Sequence, residues 1–192
     1  GELGCDIYLF SAYKTFGPHQ GIMVMRRALA EVLPNQAHGF NGDTLYKKFT
    51  PAGPDHAQVA ACDGMVDYIE ALAAHQGVAP GAVAGLMHEH EVQLMQPLLD
   101  FLGSRNSIRM LGSKTAESRA PTVAVALRGP AEPVARRLAA HKVMAGGSNF
   151  YAVRPLQAMG IDPDEGVLRL AFAHYTSREE VDQLIAALDR EL

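Results

Sequence analysis

The sequence predicts a small α+β fold over its C-terminal half, an antiparallel sheet covered by helices on one face. Three observations carry this expectation. From about residue 105 the apolar pattern shortens and alternates, with strand-like runs at Ile108–Leu111, Thr122–Leu127 and Val167–Phe172. Helical patterns fall between and after those runs. A capping box, Ser177 with Glu180 three residues on, opens a last helix whose apolar stripe is Val181, Leu184, Ile185 and Leu188.

Taken from the start, residues 5–10 read as a buried strand, Cys5-Asp6-Ile7-Tyr8-Leu9-Phe10, and Ile22 to Met25 as a second. The loop joining them holds Lys14 and is punctuated by Gly17, Pro18 and Gly21. Residues 34–56 are irregular, with Pro34, Gly39, Gly42, Pro51, Gly53 and Pro54. A loop that long is expected to be functional or an interface arm. Val59, Cys62, Val66, Ile69 and Leu72 then recur at helical spacing, with Asp55 as the cap and Gly77 as the stop. A further helix over roughly 88–102 places Val92, Met95, Leu99 and Leu102 on one face, and Pro97 inside it should kink or divide it. Pro133–Ala140 reads as a helix, Lys142–Ala145 as a brief strand, and Ser148–Met159 as a loop leading into a short helix.

Composition narrows the function classes. The chain has 192 residues, 48% hydrophobic and 20% charged, with a net charge of −4. That is the balance of a globular protein with a core, and it offers no electrostatic reason to bind nucleic acid or an anionic membrane. No apolar run reaches bilayer-spanning length. No basic-then-apolar leader is present, so no signal peptide is expected. Cys5 and Cys62 lack metal-ligand spacing and are too few for a disulfide framework, so reduced thiols in a cytoplasm are expected. His88-Glu89-His90-Glu91 invites a metal reading, but His90 does not share the helical face of His88 and Glu91. No third ligand accompanies them, and no metal is expected.

The stretch Ser11-x-Tyr13-Lys14-x-x-Gly17-Pro18-x-x-Gly21 resembles the lysine loop of fold-type-I enzymes that use pyridoxal 5'-phosphate (PLP). Its nearest likeness is to class V aminotransferases of the cysteine-desulfurase-like branch. The end of the chain agrees independently. Val167-Leu168-Arg169-Leu170-Ala171-Phe172, followed by Glu179-Glu180-Val181, is similar to that family's closing strand and helix. The resemblance implies an α/β architecture. Residues 1–80 would be the last part of the PLP-binding large domain, with the lysine loop and interface arm, and residues 81–192 a small C-terminal α+β domain. In the family about half the polypeptide precedes the lysine. The expectation is therefore a homodimeric enzyme of which this chain is the C-terminal half, or a truncated, non-catalytic product with a structural or interaction role. Taken alone, such a piece is expected to associate or to rely on a companion chain.

The resemblance also implies roles. Lys14 would hold PLP as a Schiff base and then shuttle the substrate's Cα proton. That requires an unprotonated amine and hence a desolvated or cationic setting, which a loop between two buried strands can provide. Taken alone, Lys14 would read as an ordinary surface lysine, and the motif around it carries the functional reading. Ser11 would donate its hydroxyl to the cofactor phosphate. Tyr13 stands where the desulfurase motif usually has histidine, and it reads either as a hydroxyl donor to the cofactor or as a packed aromatic. Gly53 and His56 occupy the place of a Gly-Thr pair that touches the partner subunit's cofactor. With the threonine absent, a cofactor contact and a plain loop with a helix cap stay open there. Arg169 matches the binder of the substrate α-carboxylate, for which a guanidinium fork is suited. Desulfurases carry a nucleophilic cysteine on the loop before that strand, but residues 145–152 hold none. Cys5 and Cys62 are expected to act as small hydrophobes. Asn149 and Tyr151 are candidates for the substrate pocket. The expected function is thus a PLP-dependent transferase or lyase acting on an amino acid, and not a true desulfurase.

Overall fold

The computed structural model describes residues 3–50 and 52–192. The chain forms two compact units, Gly1–Val83 and Ala84–Leu192. No described helix is long and apolar enough to cross a membrane.

The first unit is built on a two-stranded antiparallel ribbon. β1 (Ile7–Ser11) pairs with β2 (Gly21–Met25), from Ile7 opposite Met25 to Ser11 opposite Gly21. Both strands form where aromatic, branched and other large apolar residues cluster. They are not buried as the pattern suggests. Leu9 is 67% and Val24 58% exposed, and Tyr8 and Met23 are exposed as well. Side chains alternate across a strand, so both faces of the ribbon are open. A two-strand ribbon has no second layer of its own, and its apolar residues bury only when another surface covers them.

The helix α1 (Arg27–Val32) follows β2, and the irregular arm runs on through 3-10 turns at Gly39–Asn41 and Leu45–Lys47. The arm is tied back by Lys48, whose buried Nζ donates to the carbonyls of Ala30 at 2.8 Å and Glu31 at 3.0 Å. The expected single helix from Asp55 to Gly77 is two, α2 (His56–Ala61) and α3 (Asp63–Gln76), broken at Cys62. Asp55 caps α2 by accepting from the Ala57 and Gln58 amides, and Gly77 ends α3 at φ 66°. Val59 and Val66 face solvent, while Ala73 is buried.

The second unit opens with α4 (Val83–Gly103), one helix that starts earlier than its pattern and keeps Pro97 within it undivided. A four-stranded antiparallel sheet follows, made of β3 (Arg109–Leu111), β4 (Thr122–Ala126), β5 (Gly146–Ser148) and β6 (Val167–Ala171), in the order β3-β4-β6-β5. α5 (Ala131–Ala140) and α7 (Arg178–Glu191) pack with α4 on one face. There Met95, Leu98, Leu99 and Leu102 meet Val123, Val125, Leu138, Leu168 and Leu188 in one core. Burying each such side chain contributes roughly 1.5–3 kcal/mol. The capping box at Ser177 and Glu180 is present in full.

The other sheet face is covered in part by α6 (Val153–Ala158), whose Leu156 packs with Ile161, Val167 and Phe150. The helices are therefore not confined to one side. The brief strand expected at residues 142–145 lies instead at Gly146–Ser148. Lys142, at φ 61°, ends α5, and the Val143 amide bonds back to the Leu138 carbonyl, so those residues form the helix exit.

Candidate functional site

The residues singled out in the sequence fall in three places. The first is the lysine loop. Between β1 and β2 the chain makes one 3-10 turn, Ala12–Thr15, with Ser11 at its N-cap. The knot is closed from within, because the Ala12 amide donates to the Gln20 carbonyl and the Gly17 amide to the Ala12 carbonyl, both at 2.8 Å. Ala12 itself is fully buried. α3 holds the loop from beneath. A Cβ at Gly17 would meet Met65 Sδ, so any larger residue would require the Met65 side chain to shift. Phe16, in the left-handed region at φ 67°, sets its ring 5.1 Å from that of Tyr68.

The outcome is that Lys14 is presented outward. Its side chain is exposed, with Nζ 5.6 Å from the Tyr13 ring centroid. Among the described residues neither the Lys14 amine nor the Ser11 hydroxyl has a hydrogen-bond or ion-pair partner. Tyr13 is stacked on His19, centroids 4.4 Å apart. Its ring therefore packs against an imidazole that sequence inspection passed over. The desolvated setting expected of two buried strands is not supplied by β1 and β2, since both are open to solvent.

The second place is the arm. Gly53 and His56 border a groove of about 360 Å³ that is also lined by His38, Asn41, Tyr46 and Lys47. His38 and Phe40 stack at 5.3 Å, and Lys47 Nζ lies 5.6 Å from the Tyr46 ring. A cation and two imidazoles thus share the groove with Gly53. His38 and Lys47 carried no signal in the sequence, because an irregular loop has no period that predicts which side chains converge.

The third place is the outer sheet face of the second unit. Arg169 lies on β6 between Ala124 of β4 and Gly146 of β5. Small residues on both sides leave its guanidinium open. That group lies 4.0 Å from the centroid of the Phe150 ring, and among the described residues it has no ion-pair or hydrogen-bond partner. Arg109 on the same face is engaged, donating to the Met159 carbonyl at 2.7 Å. Asn149 is engaged too. Its Oδ1 accepts the Tyr151 amide at 3.1 Å and its Nδ2 donates to the Pro163 carbonyl at 3.4 Å. Its polar ends are spent on shaping the loop, while Tyr151 is fully exposed.

The remaining candidates lie apart from these places. Cys5 is exposed and precedes β1, so it is not the small core hydrophobe expected of it. Cys62 is half-buried and donates to the Gln58 carbonyl at 3.4 Å. His90 Nε2 donates to the Thr176 carbonyl at 2.9 Å.

The aminotransferase class-V family model matches residues 1–184. An aminotransferase-like protein of Gibberella zeae is 32% identical over 100% of this chain and 47% of its own length. A probable cysteine desulfurase of Pseudomonas putida is 30% identical, also over 100% of this chain and 47% of its own. Among solved structures, a cysteine desulfurase from Thermococcus onnurineus has a TM-score of 0.80 at 20% identity, covering 98% of this chain and 47% of that one. The Escherichia coli cysteine desulfurase has a TM-score of 0.75 at 21% identity, covering 99% and 47%. At such identities the likeness is one of fold. The chain spans about half the length of the curated relatives it matches. With nearly all of its residues matched, the chain belongs to the aminotransferase class-V family, a family of PLP-dependent enzymes.

Proposed function

We propose that this chain supplies the cofactor lysine and the substrate-carboxylate binder of a PLP-dependent class V enzyme acting on an amino acid. The observation that carries the proposal is Lys14, presented outward and uncommitted on a turn held by Gly17 and Met65. The donor set there fits the cofactor. A primary amine suits its aldehyde, and the Ser11 hydroxyl three residues away suits its phosphate. When bound, PLP supplies an electron sink for negative charge at the substrate's Cα, and the protein selects which bond breaks.

The chain's own residues have separable tasks. Lys14 Nζ would hold the cofactor and, when free of it, would take and return the Cα proton. It needs desolvation to do so, and that has to come from surfaces beyond the described residues. Ser11 donates to the phosphate, with Tyr13 packed beside it on His19. Arg169 receives the substrate carboxylate through two parallel donors. Gly53 and His56, with His38 and Lys47, form a cationic groove suited to a phosphate of a partner subunit in a homodimer. Residues 145–152, where desulfurases place their nucleophile, hold no cysteine. Transamination, elimination or racemisation is therefore favoured over desulfuration, in a cytoplasmic setting.

The test is the visible absorption band of the full-length protein after PLP is added. Lys14→Ala is expected to abolish the band and turnover together. A band that survives the substitution, at the same wavelength and intensity, would remove Lys14 from the cofactor site.

A further inference from the structure

We propose that Phe150 is the positioning residue that sets the plane of the Arg169 guanidinium. The inference rests on Arg169 as the carboxylate binder and adds the group that aims it. The guanidinium carbon lies 4.0 Å from the Phe150 ring centroid. Its strand neighbours, Ala124 and Gly146, offer no side-chain acceptor. Among the described residues, the Phe150 ring is thus the contact recorded for the guanidinium. A guanidinium attracted to a ring through its own face keeps its in-plane N–H donors at the edge, where a carboxylate binds bidentately. Stacking and carboxylate binding therefore do not compete.

The surrounding chain is shaped for this contact. A Cβ at Gly146 would come within 2.8 Å of Phe150 Cζ, so a side chain there would push the ring off Arg169. Phe150 and Tyr151 both take left-handed backbone, φ 49° and 61°, a conformation disfavoured for aromatic residues. The Asn149 side chain holds that turn through the Tyr151 amide and the Pro163 carbonyl. Phe150 also packs against the cluster of Leu156, Ile161 and Val167. In this chain the segment where desulfurases carry a cysteine is thus given to orienting the substrate.

The test uses the full-length, PLP-loaded protein and reads binding from the change in cofactor absorption. L-alanine and L-cysteine are titrated against their carboxylate-free counterparts, ethylamine and cysteamine. Phe150→Leu keeps the apolar packing and removes the π face. It is expected to weaken both amino acids roughly 3- to 30-fold while the two amines stay within about twofold. Phe150→Tyr, which keeps the face, restores amino-acid binding. Arg169→Ala weakens the amino acids at least as much as Phe150→Leu. If Phe150→Leu binds the amino acids as tightly as the unchanged protein while Arg169→Ala does not, the positioning role is overturned and the carboxylate role of Arg169 stands. If Arg169→Ala has no effect, both are overturned. Equal weakening of amines and amino acids by Phe150→Leu also overturns the positioning role, because it reports general damage to the site.

Discussion

Lys48 is the charged side chain that the described residues bury, and replacing it should loosen the arm that carries Gly53 and His56. Its ammonium donates to the Ala30 and Glu31 carbonyls at 2.8 and 3.0 Å, groups in the last turn of α1 that lack helical partners. Its own carbonyl accepts the Gln36 amide at 2.9 Å. One residue therefore ties α1, the start of the arm and its end together. Lys48→Met keeps the length of the stem and deletes the donors. Hydrogen bonds to a charged group contribute about 1.5–3 kcal/mol each. The sum is reduced because the Glu31 carbonyl is part-exposed and regains water, and because the variant no longer desolvates an ammonium. A local loss of about 2–3 kcal/mol remains, which speeds amide exchange through local opening roughly 30- to 150-fold. Hydrogen–deuterium exchange read by mass spectrometry on peptides covering residues 27–50 of the full-length protein measures it directly. Lys47→Met is the control, because Lys47 is exposed and makes no such staple. Unchanged exchange in Lys48→Met, or an equal effect in Lys47→Met, would refute the staple.

Two further outcomes follow from the second unit and from α2. The Glu191 carboxyl is held below its ordinary value by hydrogen bonds from His141 and then Arg137, and Asp55 is lowered chiefly by the Gln58 amide, with the Gln58 side chain next. Both are carboxylates with depressed folded values, so their stabilisation is complete above about pH 4.3 and 3.9, the unfolded values for Glu and Asp, and is lost as pH falls through the folded ones. Urea midpoints should fall on acidification below about pH 4, and Glu191→Gln should flatten that slope. Ser177→Ala removes the hydroxyl that accepts the Glu180 amide at 3.2 Å and should cost about 1 kcal/mol, read as faster exchange in the first turn of α7.

Which features were legible in the sequence follows from what a one-dimensional pattern encodes. The start of the last helix is legible at Ser177, because a capping box is local, and three of its four stripe residues, Val181, Leu184 and Leu188, are buried, with Ala187 beside them. Asp55 and Gly77 were read correctly for the same reason, since a cap and a left-handed stop involve only neighbours. Where burial depends on what else is present, the pattern misled. Residues 7–11 and 21–25 are strands as expected, but their apolar side chains lie on a ribbon with no second layer. Likewise β5 is made of Gly146, Gly147 and Ser148, residues with no strand propensity, and exists because β6 offers it an edge.

The candidate site divides along the same line. Lys14 and Arg169 stood out because each lies in a run of residues with fixed local spacing. Neither run says what surrounds the side chain. Phe150 meets Arg169 only because Gly146 pairs with Arg169 across β5 and β6, while the chain turns left-handed twice straight after Asn149. A shift of β5 by one residue would turn its side chains to the opposite faces. Gly147 would then stand opposite Arg169, and the ring would no longer be brought over the guanidinium by the same turn. The contact between Arg169 and Phe150 is therefore set by a strand register, and register is a pairwise property that no single segment displays. The same holds for the arm, where His38 and Lys47 join Gly53 and His56 only after the chain between them is folded back by Lys48. In both places the residue that would do the chemistry can be named from its own motif, whereas the residue that aims it becomes visible only once two distant stretches of chain are paired.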